Sequence, residues 1–507
     1  VAGVGHQTPR LSAAALRHML ALVSEWTLPM TFDPRLNFRR AADWAANYWD
    51  RAPELPVRAQ TAPGSIFAAL PDRPPQTSEP ADAIFADLDA LIMPGMTHWQ
   101  HPRFFAYFPA NASPPSVTAE IITAALGAQC MLWQTSPAAS ELEARMLDWL
   151  RQMIALPDTF TGVIQDSAST ATFAAILVAR EKALAMLGNS EGLAGAAPLR
   201  VYASAQVHSS VDKAVRMAGV GDANLVRIPT SGPRFAMEPG ALEDAILADR
   251  AAGRISAAVV ACLGGTAVGA CDDIAAVADV ARRHGVFVHV DAAWAGSAMI
   301  CPEFRDLMRG CEGVDSFVFN PHKWLFTNFD CSAHFVRDPA ALAATLGIRP
   351  SFLKTLDAKA APGVVDYNEY SVPLGRRFRA LKLWFVIRAY GVAAMQATIR
   401  DHVAWARELA ELFAADKDFE VVTGPILSLF TFVYRPAGVE ARDALNAELL
   451  RRINDDGRIY LTQTQHEGRF VIRFQAGQTR TTREDVLSAY ATVREIASAQ
   501  DASGRAA

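Results

Sequence analysis

Residues 286–297 read VFVHVDAAWAGS. The first six, VFVHVD, form a largely apolar, β-branched run that ends on a carboxylate. A run with so little alternation marks a strand covered on both faces, as in a parallel sheet between helices. An acidic group at the end of a buried strand costs several kcal/mol unless it has a partner. For Asp291 two kinds of partner are open: a structural salt bridge or helix cap, and a protonated ring nitrogen. Ala292 and Ala293 follow, small enough for a flat ring to lie close.

The same grammar recurs on either side. TGVIQ (161–165), RVYASA (200–205), AAVVACLG (257–264) and SFVFN (316–320) read as strands. Alanine-rich helical runs separate them, among them ASTATFAAILVAREKALAML, SSVDKAVRMAG and DDIAAVADVARRHG. This alternation predicts an α/β domain with a mainly parallel sheet over residues 114–380. Residues 1–113 are helical in pattern (AADWAANYWDRA) with proline-rich connections, too broken to form their own core. They are expected to wrap another surface, such as a second subunit. Residues 381–507 predict a small α+β domain. It opens with the long amphipathic stretch 379–414, read as two helices meeting near Gly391, and continues with strands FEVVTG, LSLFTFVYR and RFVIRFQAG.

A chain of 507 residues, 51% hydrophobic and 20% charged, is long enough for more than one domain. A net charge of −5 with scattered basic residues argues against a nucleic-acid partner. No apolar run is long enough to span a bilayer, and the first residues lack the order of a signal peptide. Cysteines 130, 262, 271, 301, 311 and 331 show neither CxxC nor metal-ligand spacing. They read as reduced thiols of a cytoplasmic protein that binds no metal.

In an open α/β sheet, ligands bind beyond the carboxyl ends of the strands, so the residues just past each strand matter most. Asp166-Ser167-Ala168-Ser169-Thr170 leads from TGVIQ into a helix, which makes either an anion cradle or a plain helix cap. His208 follows RVYASAQV, Thr266 follows AVVACLGG, and Lys323 lies 32 residues beyond Asp291 (323 − 291), past SFVFN. Each is ordinary alone. Together they place a cradle, a stackable ring, a hydroxyl, a carboxylate and an amine at one edge of one sheet. Pyridoxal phosphate requires that set.

The stretches HPRFFAYFPANAS (101–113), SPAASELEARMLDWL (136–150), VIQDSASTAT (163–172) and VHSSVDKA (207–214) carry a resemblance. So do VHVDAAWAGSAMICPEFR (288–305), DSFVFNPHKWL (315–325), NFDCSAHFV (328–336) and PLGRRFRALKLWFVIRAYG (373–391). The chain resembles the group II pyridoxal-phosphate decarboxylases, and within them the aromatic-L-amino-acid decarboxylases and related aromatic aldehyde synthases. The resemblance covers most of the chain from about residue 33 and leaves the first 32 residues unplaced. It implies fold type I, with a mainly parallel seven-stranded sheet, and a homodimer whose two subunits line each site.

The resemblance also implies roles. Lys323 forms the Schiff base with pyridoxal 5′-phosphate, and Asp291 pairs with the pyridinium nitrogen. His208 stacks on one ring face and Ala293 packs on the other. Ser167, Ala168, Ser169 and Asn320 anchor the phosphate, and Thr266 and His322 lie beside the cofactor. The implied substrate is an aromatic L-amino acid (tryptophan, phenylalanine, tyrosine or dopa), decarboxylated through a quinonoid intermediate. Trp99, Phe108, Pro109, Met131 and Trp133 are candidates to line its pocket, some across the dimer. Trp294 stands where the family commonly has tyrosine. Gly375 leaves room, and a glycine there accompanies indole substrates in plant relatives.

One departure bears on the product. In RPSFLKT (349–355) the position of the family's loop tyrosine holds Phe352. A phenyl ring has no proton to donate to the α-carbon. Phenylalanine there is associated with aldehyde synthases, which release aldehyde, ammonia and hydrogen peroxide instead of an amine.

Overall fold

A computed structural model describes residues 32–348, 364–438 and 442–506. The chain divides into two compact units, Val1–Glu54 with Ala59–Thr97, and Leu55–Arg58 with His98–Ala507. In the first, helix α1 (Pro34–Arg51) begins at Asp33, whose carboxylate accepts the N–H groups of Arg35 and Leu36. Beyond α1, prolines limit the chain to short helices at Ser65–Ala69 and Ala81–Asp87. Trp44 Nε1 donates to Asp89 at 2.9 Å, and Arg40 lies 4.2 Å from the centre of the Phe85 ring.

The second unit holds helices α2 (Pro114–Leu126), α3 (Pro137–Met153), α4 (Ala168–Ala183), α5 (Ser210–Met217), α6 (Pro239–Ala251) and α7 (Ile274–Arg283). Its main sheet comprises β1 (Thr161–Gln165), β2 (Leu199–Ser204), β3 (Leu225–Ile228), β4 (Ile255–Cys262), β5 (Phe287–Asp291), β6 (Ser316–Phe319) and β7 (Ser332–Val336). Their order is β1-β7-β6-β5-β4-β2-β3. All pairings are parallel except those of β7, which is antiparallel to β1 and to β6. The mainly parallel seven-stranded sheet inferred from the sequence is thus present. The residues of β6 and β7 are all buried, as a sheet covered on both faces requires.

Two of these strands escape the sequence pattern. LVRI (β3) is a short edge strand, partly exposed. SAHFV (β7) mixes polar with apolar residues, and its histidine belongs to a buried polar layer under the sheet's carboxyl edge.

Helix α8 (Arg379–Ala415) is broken at Gly391, where φ is 71° and ψ 154°, as the two-helix reading anticipates. A left-handed residue there favours glycine, which lacks the Cβ that makes that conformation costly. Beyond it, β8 (Phe419–Ile426), β9 (Leu429–Tyr434), β10 (Thr462–His466) and β11 (Arg469–Gln475) form an antiparallel sheet ordered β8-β9-β11-β10. Helices α9 (Arg442–Asp456) and α10 (Arg483–Ala506) accompany it. TQTQH (β10) carries no apolar signal because it is the sheet's polar edge. All six cysteines are free and buried. No described helix is long and apolar enough to cross a membrane.

A buried ion pair braces the approach to the site. Glu143 on α3 meets Arg376 at 2.6 Å and accepts the Ile164 N–H at 2.8 Å. Arg376 also donates to the carbonyl of Ile164. Helix α3 and the end of β1 are therefore held together just before the Ser167 turn.

Candidate active site

The strand ends converge as the α/β rule requires. A cavity of about 290 Å³ is lined by Ser167, Ala168, Ser169, His208, Thr266, Asp291, Ala293, Asn320, His322 and Lys323. These are all ten residues assigned to the cofactor from the sequence. Phe108, Ser210, Cys262, Gly264, Gly265 and Phe329 complete the wall. Gly264 has φ of 82°, and a Cβ there would lie 2.5 Å from that of Ala295, so only glycine fits.

Lys323 follows β6 in a single helical turn begun by Pro321. Its N–H donates to the Asn320 carbonyl, and its own carbonyl accepts from Asn111 Nδ2 at 2.6 Å. The ammonium lies 5.0 Å from the centre of the Phe108 ring. Burial, opposed by Asp291 and reinforced by Arg473, brings its pKa down from 10.5 to about 8. At pH 7 roughly a tenth of the amine is then free base, far more than for a surface lysine.

Asp291 closes β5 as the sequence reading expects, with Oδ1 accepting the Ala293 N–H at 3.1 Å. Among the described residues it has no basic partner within salt-bridge distance, which removes the structural ion pair, and its contact with the Ala293 N–H leaves the capping reading beside the ring-nitrogen one. His208 lies at the cavity mouth and is exposed in the single chain. Its Nδ1 accepts the Ser210 N–H at 3.1 Å, so Nε2 carries the proton of the neutral ring. Burial among its neighbours lowers its pKa, with Asp291 opposing and Lys323 adding to the shift. Cys331 N–H donates to His322 Nδ1 at 2.8 Å, and burial lowers the His322 pKa to about 3.

The cradle is the start of α4. Ser167 caps the helix by accepting the Thr170 N–H at 3.2 Å. The N–H groups of Ala168 and Ser169, in the first turn, have no intrahelical acceptor and border the cavity. Asn320 Oδ1 is buried without a partner among the described residues, and a turned carboxamide presents NH₂ donors to an anion. Asp166 does not line the cavity. An amine, a carboxylate, an alanine, an imidazole and an anion cradle around one cavity fit pyridoxal phosphate. Lys323 would hold its aldehyde, Asp291 its ring nitrogen, His208 and Ala293 its faces, and Ser167, Ser169 and Asn320 its phosphate.

The residues proposed for the substrate divide. Phe108 lines the cavity. Trp294 is wholly buried behind it, stacked on Phe108 at 4.6 Å and on Trp324 at 5.0 Å, and does not itself line the cavity. Pro109 is buried against Gly477. Trp99 is partly exposed and packs on Phe104 and Tyr107. Trp133 donates Nε1 to Glu141, and Met131 accepts the Asn368 N–H through its carbonyl. Gly375 borders a separate hollow beside Gln129 and Arg377. Trp99, Pro109, Met131, Trp133 and Gly375 therefore do not line this chain's own cavity. Phe352 lies outside the described residues.

Two residues escaped the sequence reading. Asn111 fixes the backbone of Lys323 and also donates to the Gly477 carbonyl. Arg473, on β11, is 3% exposed and has no carboxylate partner among the described residues. Its Nε donates to the Thr266 carbonyl at 2.9 Å, a second nitrogen donates to the Tyr107 carbonyl, and Nη2 is buried with no partner among the described residues. It lies 4.7 Å from the centre of the Phe108 ring and borders a second hollow that shares His208 and Thr266 with the main cavity. Burial lowers its pKa to about 9. The available signal was an arginine inside the apolar strand RFVIRFQ.

Residues 63–435 match the family model described as the pyridoxal-dependent decarboxylase conserved domain. Phenylacetaldehyde synthase of Arabidopsis thaliana is 40% identical over 465 residues, covering 90% of this chain and 94% of that protein. Tryptophan decarboxylase 2 of Oryza sativa subsp. japonica is 39% identical, covering 93% and 96%. Aromatic-L-amino-acid decarboxylase of Rattus norvegicus is 40% identical, covering 91% and 96%. The crystal structure of Oryza sativa TDC with PLP and tryptamine superposes with a TM-score of 0.89 at 39% identity, covering 92% of this chain and 99% of that one. That of Rhodiola rosea 4-hydroxyphenylacetaldehyde synthase gives 0.84 at 34%, covering 92% and 98%.

Proposed function

The chain belongs to the pyridoxal-dependent decarboxylase family, and from that premise we propose that it removes the α-carboxylate of an aromatic L-amino acid as CO₂ and releases the amine. The carrying observation is the convergence of Lys323, Asp291, His208 and the Ser167–Ser169 turn on one cavity. Pyridoxal 5′-phosphate, the family's cofactor, supplies an aldehyde for amine exchange and a ring that withdraws electrons from the α-carbon. Lys323, with its lowered pKa, offers a free amine near neutral pH and accepts or returns a proton during exchange. Asp291 holds a proton on the ring nitrogen. His208 and Ala293 orient the ring from its two faces. Arg473, a buried cation with a spare N–H group, binds the substrate's carboxylate, and Phe108 packs on the aromatic side chain.

We read the enzyme as a cytoplasmic homodimer. The free cysteines fit a reducing compartment. Ile121, Leu126, Val372 and Leu374 lie 49–59% exposed, and Phe329 is 64% exposed although it lines the cavity. Such apolar exposure calls for a cover. A second copy covering it would bring further walls to each site. Trp99, Met131, Trp133 and Gly375 are the residues left to line a partner's cavity. The glycine inclines the preference to tryptophan.

Phe352 favours a second reading, oxidative decarboxylation–deamination. One O₂ and one water would be consumed, and aldehyde, CO₂, ammonia and hydrogen peroxide released. Similarity to aldehyde synthases of Arabidopsis thaliana and Rhodiola rosea agrees with it as well as with the first. The experiment supplies tryptophan, phenylalanine, tyrosine and dopa under air and measures amine, aldehyde and peroxide together. Amine without peroxide supports decarboxylation, and equimolar aldehyde and peroxide supports the oxidative reading. In the second case Phe352→Tyr shifts the product towards amine. An unchanged ratio contradicts the part given to Phe352.

A further inference from the structure

One polar layer beneath the cavity is not used by the chemistry above. Thr172, His289, Ser316 and His334 are each 0% exposed. They form a continuous chain. Thr172 Oγ1 lies 3.1 Å from His289 Nε2, His289 Nδ1 lies 2.8 Å from Ser316 Oγ, and Ser316 Oγ lies 2.9 Å from His334 Nε2. The chain stops at His334 Nδ1, which is buried without a partner among the described residues.

Its members sit one step below groups assigned to the cofactor. Thr172 is one helical turn beyond Ala168 on α4, the helix that begins with the cradle. His289 precedes Asp291 by two residues on β5, on the same face of the sheet. Ser316 opens β6, the strand that leads to Asn320 and Lys323, and is paired in register with His289. His334 on β7 stands opposite Val318, diagonal to Ser316, where a long side chain reaches across.

Four apolar side chains would fill this space with no desolvation cost. They would also permit small slips, because apolar contact has no direction. A hydrogen bond is directional and fixes its partners to a few tenths of an ångström. We propose that Thr172, His289, Ser316 and His334 are positioning residues that lock the phosphate cradle, Asp291 and Lys323 into a single register beneath the cofactor. The inference rests on the pyridoxal-phosphate reading of the cavity. Ser316 has one hydroxyl proton and two facing ring nitrogens, so it donates to at most one histidine and accepts from the other or from both. At least one of His289 Nδ1 and His334 Nε2 therefore carries a proton. Burial keeps both rings neutral, lowering the His334 pKa to about 4 and that of His289 well below its usual value.

The test uses full-length protein stripped of cofactor and titrated with pyridoxal phosphate. Thr172→Val and Ser316→Ala are near-isosteric, and His334→Gln keeps a polar group near the Nε2 position. Three quantities are read: the Kd for the cofactor, the pH at which its bound visible absorption changes, and the urea midpoint of the cofactor-free protein. Thr172→Val and Ser316→Ala are expected to raise Kd about tenfold, the worth of one buried hydrogen bond, and to move the absorption midpoint by about half a pH unit or more. His334→Gln stays within about twofold of the parent, and the Thr172→Val/Ser316→Ala double variant costs less than the sum of its two singles, since both act through one chain. Variants that lose urea stability but keep Kd and the absorption midpoint overturn the proposal and leave an ordinary core network. A parent protein that fails to bind pyridoxal phosphate overturns instead the reading on which it rests.

Discussion

At the scale of single residues, the site contrasts one cation that sequence could place with one that it could not. Lys323 announces itself because NPHKW sets an amine between a strand and a tryptophan. Arg473 does not, because it lies in a strand whose core partners become known only when β11 is seated beside Phe108 and Thr266. A buried guanidinium without a carboxylate is costly to the fold, which is the usual mark of a group kept for function. Arg473→Leu is therefore expected to leave the cofactor-free protein as stable as the parent or more so in urea unfolding. The same variant should lower kcat/KM at least about a hundredfold, mostly through KM, since it removes a charge-assisted carboxylate contact. A variant that loses stability and keeps its KM would assign the arginine to packing. Arg473→Lys should retain part of the activity, because it keeps the charge without the fork.

At the scale of elements, most of the strands that sequence located are buried on both faces, where an apolar run has no competing reading; β8, a partly exposed edge strand, was found from its FEVV run. The strands it missed are β3 and β10 at sheet edges and β7, whose Ser332 and His334 are polar although buried. Nothing in SAHFV says that His334 will meet Ser316, since that pairing depends on an antiparallel neighbour nearly adjacent in sequence and a diagonal contact. The buried histidines carry a pH consequence. His322, His334 and His402 have pKa values lowered by burial to about 3, 4 and 3, and His289 falls well below the usual value. Their folded-state pKa lies below the unfolded one, so the unfolded chain binds more protons once the pH drops below about 6.5. Stability is then lost as pH falls towards 4, by up to about 1.4 kcal/mol per pH unit for each such ring. Asp272 and Asp315 act in the opposite sense, their carboxyls raised by burial, that of Asp272 to about 6, but they are two groups against four. The urea midpoint is expected to fall steeply between about pH 6 and about pH 4.5, and a flat midpoint over that range would contradict the neutral burial of these rings.

At the scale of the whole molecule, the ten cofactor residues predicted from the sequence meet in one cavity because parallel strands deliver their carboxyl ends to one edge. The substrate residues were less legible for a physical reason. Aromatic side chains such as Trp294 serve a core as readily as a pocket, and those proposed to reach a partner's cavity leave no mark on their own. The dimer is where those two facts meet. Ile121→Glu on α2 places a charge on an apolar face and should shift the protein to monomer in sedimentation, with activity lost in parallel. A monomer that keeps full activity would show that one chain completes its own site. The central claim is the loss of the α-carboxylate, and it is tested most directly by supplying aromatic L-amino acids labelled at that carbon to the pyridoxal-phosphate-loaded enzyme and counting labelled CO₂. One labelled CO₂ is expected for each substrate consumed, whether amine or aldehyde is the other product, and none from Lys323→Ala; substrate consumed to keto acid with its label retained would contradict decarboxylation.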